Sequence, residues 1–133
     1  MFEAMDFAGK LAKVSTGDPT VLPAPEIVAA ATREGARVLG LGEKTGSLEP
    51  GKRADVIAID VRTAHAQPFE DVHSTLVYSA KASDVTDVWV DGKRLLSNRR
   101  CTTLDKRAIL DAAAKWRRKV RESLAAPARK PAA

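Results

Sequence analysis

The chain has 133 residues, with one Cys, two His, three Phe, two Trp and one Tyr; 44% of it is hydrophobic and 29% charged. This is globular composition, and it excludes an intramolecular disulfide, a Cys-based zinc cage and a three-His zinc site. The net charge of +5 is uneven: residues 99–133 carry a net +8 and residues 1–98 a net −3, so the basic character belongs to the C-terminal segment.

Phe2, Met5, Ala8 and Ala12 recur at helical spacing, which predicts an amphipathic helix from Phe2 to about Val14. No capping residue precedes Phe2. Ser15-Thr16-Gly17-Asp18-Pro19 is turn-forming and is expected to end this helix. Pro23-Ala24-Pro25-Glu26 opens a second helix, because Pro is tolerated where its missing N–H has no intrahelical partner and Glu26 suits the N-terminal dipole. Gly35 is expected to break that helix. Ala36 to Leu39 then forms another short one, closed by Gly40 and Gly42.

The pattern changes at Gly46. Pro50-Gly51 favours a type II turn, since Pro fixes φ and Gly accepts a positive φ. Ala54 to Asp60 follows as a strand, and its run Val56-Ile57-Ala58-Ile59 predicts cover on both faces. Arg62 to Asp71 reads as irregular, and Leu76-Val77-Tyr78 as a short apolar piece, helical or extended. Asp91-Gly92 between Val85–Val90 and Lys93–Leu96 is a hairpin signal, because a type I′ turn needs positive φ at both central residues. Leu104 to about Leu124 is the longest predicted helix. It carries a stripe of Ile109, Ala113, Trp116, Val120 and Leu124, with Thr103 or Asp105 as N-cap. Residues 125–133 are expected to be disordered.

Three segments carry a resemblance. Gly46-Ser47-Leu48-Glu49-Pro50-Gly51-Lys52-Arg53-Ala54-Asp55-Val56-Ile57 resembles the C-terminal signature of amidohydrolase-superfamily enzymes, where the chain passes from a TIM barrel into a small β-sandwich. The run from Ala31 to Leu41 resembles the helix pair ahead of that signature, and Val85 to Lys93 the hairpin after it. Met1-Phe2-Glu3-Ala4-Met5 resembles a helix start of the branch that holds methylthioadenosine/S-adenosylhomocysteine deaminases and triazine chlorohydrolases.

The resemblance implies an α+β fold. Residues 1–45 would be terminal barrel helices, 46–103 part of a composite β-sandwich with its hairpin, and 104–124 a C-terminal helix. It also implies that the chain is a C-terminal portion of a longer enzyme, with Met1 matching an internal Met. In the family, zinc or another divalent metal activates water for hydrolysis of C–N or C–Cl bonds in purine- or triazine-like rings. Its ligands are a His-x-His pair, two further His and an Asp. This chain has no His-x-His, and the matching Asp would lie ahead of Met1. The expectation is therefore no catalytic, cofactor-binding or metal residue here, and no activity for the chain alone.

Each remaining candidate has a plainer reading. His65 and His73 read as surface or loop histidines. Cys101, although beside Arg100, has no base at a recognisable spacing. Asp91 belongs to its turn, while Asp84 and Asp87 are expected to face solvent. Trp89 and Trp116 are expected to pack in apolar surroundings, and Lys115, Arg117, Arg118, Lys119 and Arg121 to form a solvated helix face.

The alternative to the enzyme reading is a small basic module that binds nucleic acid or a partner through residues 99–130. A nucleic-acid partner is not the favoured expectation. The expected partners are the barrel portion, even as a separate chain, or a second copy. No run is long and apolar enough to span a membrane, residues 1–6 do not resemble a secretion signal, and the lone thiol suits the cytoplasm. The strand at residues 54–60 is expected to present an open edge, and the isolated chain to be marginally stable.

Overall fold

The computed structural model describes residues 1–125. Most of the tail expected to be disordered lies outside the described residues. The chain divides into two compact units, Met1–Arg100 and Cys101–Ala133.

The first unit opens with α1 (Phe2–Thr16). It runs two residues beyond the expected end, because Ser15 and Thr16 turn their hydroxyls back onto the Ala12 carbonyl. Gly17 then stops it in the left-handed conformation at φ 69°, its N–H donating to the Lys13 carbonyl at 3.0 Å. The buried positions on α1 are Met5 and Gly9. Phe2 packs on the core from partial burial, whereas Ala8 of the expected stripe is exposed.

Helix α2 (Ala24–Ala29) starts behind Pro23, with Pro25 in its first turn as expected. Gly35 does not break the helix. Residues Ala30–Glu34 form a π-helical turn that leads directly into α3 (Gly35–Val38). The Gly35 N–H bonds the Ala30 carbonyl five residues back. A β-carbon at Gly35 would lie 2.9 Å from that oxygen, so glycine here admits the wide turn rather than ending the helix. A Schellman pair ends α3: Leu41 N–H donates to Ala36 O at 2.8 Å, and Gly40 N–H to Arg37 O at 3.0 Å.

The third helical piece is α4 (Val72–Ser74), capped by Asp71, whose carboxylate accepts from Ser74 N–H. It continues as a π-helical turn over Thr75–Ser79, which settles Leu76-Val77-Tyr78 as helical. Val77 is the most completely buried side chain, at 1% exposure. It forms the core with Met5, Ala24 and Ile27, and Phe2, Leu22, Val28, Ala31 and Tyr78 pack around it. Burying side chains of this size stabilises by about 1.5–3 kcal/mol each. At Gly9, an added β-carbon would sit 2.8 Å from both Ile27 Cδ1 and Tyr78 Oη, so its bareness sets the approach of α1 to this core.

The strands β1 (Val56–Ile59), β2 (Val85–Val90), β3 (Lys93–Ser97) and β4 (Arg100–Cys101) form a sheet of order β1-β2-β3-β4. β1 and β2 are antiparallel, pairing Val56 with Trp89 and Ile57 with Val88, and a bulge follows Ala58. β2 and β3 are antiparallel around Asp91-Gly92, whose φ values of 51° and 75° are those of the expected type I′ turn. The Glu49–Lys52 turn also matches, with Lys52 N–H bonding Glu49 O and Gly51 at φ 89°. β1 is covered on one face only, since Ile57 is 49% exposed. A second tight turn joins β3 to β4 through Asn98 and Arg99, at φ 47° and 63°. It carries no glycine, which is why the sequence did not announce it.

In the second unit, Asp105 caps α5 (Lys106–Ala125) by accepting from Arg107 and Ala108 N–H at 2.9 and 3.2 Å. No residue of α5 is buried. Trp116, expected to pack, is 65% exposed with the Lys119 ammonium 4.9 Å above its ring.

Candidate functional site

The chemistry-bearing side chains of the first unit gather along the sheet. Asp84, expected to face solvent, is buried at 4% exposure. The 3₁₀ turn Ala64–Ala66 brings His65 to it across 19 residues of sequence, Nε2 lying 2.7 Å from Asp84 Oδ2. The same oxygen accepts the Lys81 N–H at 2.8 Å. The His65 bond, then the Lys81 N–H, hold the Asp84 carboxyl below the ordinary carboxylate pKa.

Asp87 is similarly inward, its side chain 13% exposed. Its Oδ1 accepts from Arg94 Nη2 at 2.5 Å and from Asn98 N–H at 3.1 Å, and its pKa is lowered first by Arg94. Arg94 also lies 5.3 Å over one face of the half-buried Trp89 ring. Asp55 ties two loops together. It accepts the Asp91 N–H at 2.6 Å and the Thr45 hydroxyl at 2.9 Å, bonds that lower its pKa in that order. Asp60 receives Arg62 through Nε at 2.9 Å and through the backbone N–H at 3.1 Å, and its pKa falls to about 2.

All four carboxylates thus accept hydrogen bonds from backbone N–H groups or neighbouring side chains. The His65–Asp84 pairing had no signal in the sequence, because neither residue stands in a motif with a spacing of its own. His73 stands apart, its Nδ1 4.0 Å from Asp71. Cys101 is a free, exposed thiol. Among the described residues, no group of three or more His, Cys, Asp or Glu side chains is placed to hold a metal ion. The donor set present does not fit a catalytic zinc, which needs three converging protein ligands.

An apolar groove of about 180 Å³ lies beside α1, lined by Ala4, Met5, Ala8, Leu22, Ile27 and Ala31 among others. Its lining side chains are apolar, so it can seat apolar groups. Among the described residues, no helix is long and apolar enough to cross a membrane.

With this geometry in hand, comparison with known proteins is decisive for the family. The family model for the Amidohydrolase family matches residues 1–95. The chain belongs to the amidohydrolase family. A 5-methylthioadenosine/S-adenosylhomocysteine deaminase of Syntrophomonas wolfei is 43% identical over 120 residues, covering 90% of this chain and 28% of the relative. The structure of an adenosine deaminase from Xanthomonas campestris, with bound zinc, superposes at a TM-score of 0.87 with 40% identity, over 92% of this chain and 28% of that one. An atrazine chlorohydrolase from Arthrobacter aurescens, complexed with zinc, shares the fold at a TM-score of 0.75 and 24% identity, over 86% of this chain and 26% of that one.

The amidohydrolase chain described here therefore spans a little over a quarter of the length of the proteins it matches. These likenesses favour the enzyme-family reading over that of a basic binding module. They also place the turn at Pro50-Gly51, the Asp55 tie and strand β1 within the part matched by the family.

Proposed function

We propose that this chain is the C-terminal scaffold share of a metal-dependent amidohydrolase of the deaminase type. The parent reaction is hydrolysis of the exocyclic C–N bond of an adenosine-like nucleoside: water adds its oxygen to the ring carbon, and ammonia leaves. The observation that carries this reading is the 43% identity to a deaminase acting on methylthioadenosine and S-adenosylhomocysteine, well above the 24% shared with the chlorohydrolase.

Zinc is the metal expected for the whole enzyme, as in the two zinc-containing neighbours. Among the described residues no three donors converge to hold it, so we assign this portion no part in the bond-making step. Its contribution is mechanical. Asp55 fixes the signature turn against the hairpin, and Asp84 and Asp87 lock the sheet on which the rest of such an enzyme would build.

A chimera tests this. The matching 28% of the Xanthomonas campestris adenosine deaminase is replaced by this chain, and ammonia release from adenosine and methylthioadenosine is measured with zinc present. The expected result is hydrolysis by the chimera and none by this chain alone. A folded, zinc-loaded chimera that releases no ammonia from either nucleoside, or release by this chain alone, would defeat the proposal.

A further inference from the structure

Helix α5 is exposed along its whole length, and none of its 20 residues is buried. Its apolar stripe is nevertheless continuous. Ile109, Ala113, Trp116, Val120 and Leu124 recur at spacings of three and four, and Ile109, Trp116 and Val120 are 49%, 65% and 53% exposed. The charge on α5 restricts what can cover that stripe. The helix carries seven Lys or Arg against Asp111 and Glu122. On an α-helix, a residue three places on falls about 60° back around the axis. Arg117 and Arg121, three before Val120 and Leu124, therefore border the stripe on one side. Lys119, three after Trp116, borders it on the other, its ammonium 4.9 Å from the centre of the indole ring. Asp111 and Glu122 fall opposite the stripe, where Glu122 meets Arg118 at 3.9 Å.

Several occupants fail on this arrangement. A second copy packed stripe to stripe would set Arg117, Lys119 and Arg121 against the same three residues, with both acidic side chains too far round to neutralise them. A nucleic acid would answer the charge and leave Ile109, Val120 and Leu124 in water. A neutral apolar groove would cover the stripe and leave its basic borders without counter-charges. What satisfies both is a surface that is apolar beneath and anionic along either border. An anionic lipid interface has that structure, and the stems of Lys and Arg can lie along apolar surface while their charged ends reach the headgroups.

We propose that α5 lies flat in the headgroup layer of an anionic lipid surface, with its stripe inward and Arg117, Lys119 and Arg121 at the level of the phosphates. The helix rests on the surface and does not cross it. This attachment is independent of the proposed hydrolysis, because none of the side chains it uses belongs to the first unit.

Vesicle flotation tests this on the full 133-residue chain and on the zinc-loaded chimera. The vesicles are phosphatidylcholine, either alone or with about a third phosphatidylserine. Both proteins are expected to float with the anionic vesicles and to stay behind with the neutral ones. Trp116→Glu with Val120→Glu should lower the floated fraction about tenfold, and so should Arg117→Glu with Lys119→Glu. Because α5 buries no side chain, the urea transition of the first unit should be unchanged in these variants and serves as the folding control. Failure of both proteins to float, or equal flotation with neutral vesicles, would overturn the proposal. Flotation indifferent to the Trp116 and Val120 substitutions would also overturn it, since a general attraction to polyanions, nucleic acid included, does not need the stripe. Flotation of the chain without flotation of the chimera would assign the stripe to protein cover instead. A dimer in sedimentation that is lost on Val120→Glu would assign it to a second copy.

Discussion

Helices α1 and α5 carry similar sequence patterns and reach different ends. Both have an apolar stripe at helical spacing. On α1, one stripe finds Ile27, Val77 and Tyr78 and is buried, while the other stays open. On α5, the stripe of Ile109, Trp116, Val120 and Leu124 is exposed throughout, with none of these residues less than 49% accessible. The pattern states what a face requires. It does not state whether the partner lies in the same 133 residues.

The sharpest way to break this contrast is to remove the partner that α1 does have. Ile27→Ala takes away a side chain only 3% exposed and leaves a cavity, at a cost of about 2–4 kcal/mol. Urea unfolding followed by far-UV circular dichroism should show the first unit losing most of its stability, whereas Val120→Ala on α5 should leave that transition in place. Next in size is Gly9→Val. It overpacks the contact with Ile27 and Tyr78 and costs about 1–3 kcal/mol, read in the same transition.

Acid sharpens the comparison further, since the tied carboxylates belong to the first unit. The folded-state pKa of Asp84 lies below its ordinary value of 3.8, through the His65 bond and then the Lys81 N–H. A depressed carboxylate contributes stability above its unfolded pKa and loses it as the pH falls through the folded one. The midpoint of thermal unfolding should therefore drop below about pH 4. Asp84→Asn should lower the neutral-pH midpoint and flatten the acid drop. An unchanged acid slope would remove Asp84 from the account. The smallest effect belongs to the open face: Leu11→Ser should change the stability of the isolated chain by no more than about 0.5 kcal/mol, because Leu11 is 62% exposed among the described residues.

Much of the local structure was legible in the sequence. Pro50-Gly51 and Asp91-Gly92 gave their turns because those residues fix or permit the required φ, and Asp105 caps its helix as the spacing suggested. Gly35 misled because glycine has two uses. It ends helices by entering positive φ, and it also makes room for a carbonyl in a π-turn, which is its use here. The burial of Asp84 was illegible for another reason: its partner His65 is brought in by the fold, not by the local chain. The family was legible from turn and hairpin residues that do no chemistry.

The proposed function implies that the outer face of α1, open in this chain, is covered once the rest of such an enzyme is supplied. Hydroxyl-radical footprinting of Phe7 and Leu11, in the isolated chain and in the zinc-loaded chimera, measures that cover directly. The account predicts strong labelling of both residues in the isolated chain and protection of both in the chimera. Equal labelling in the two proteins would contradict it.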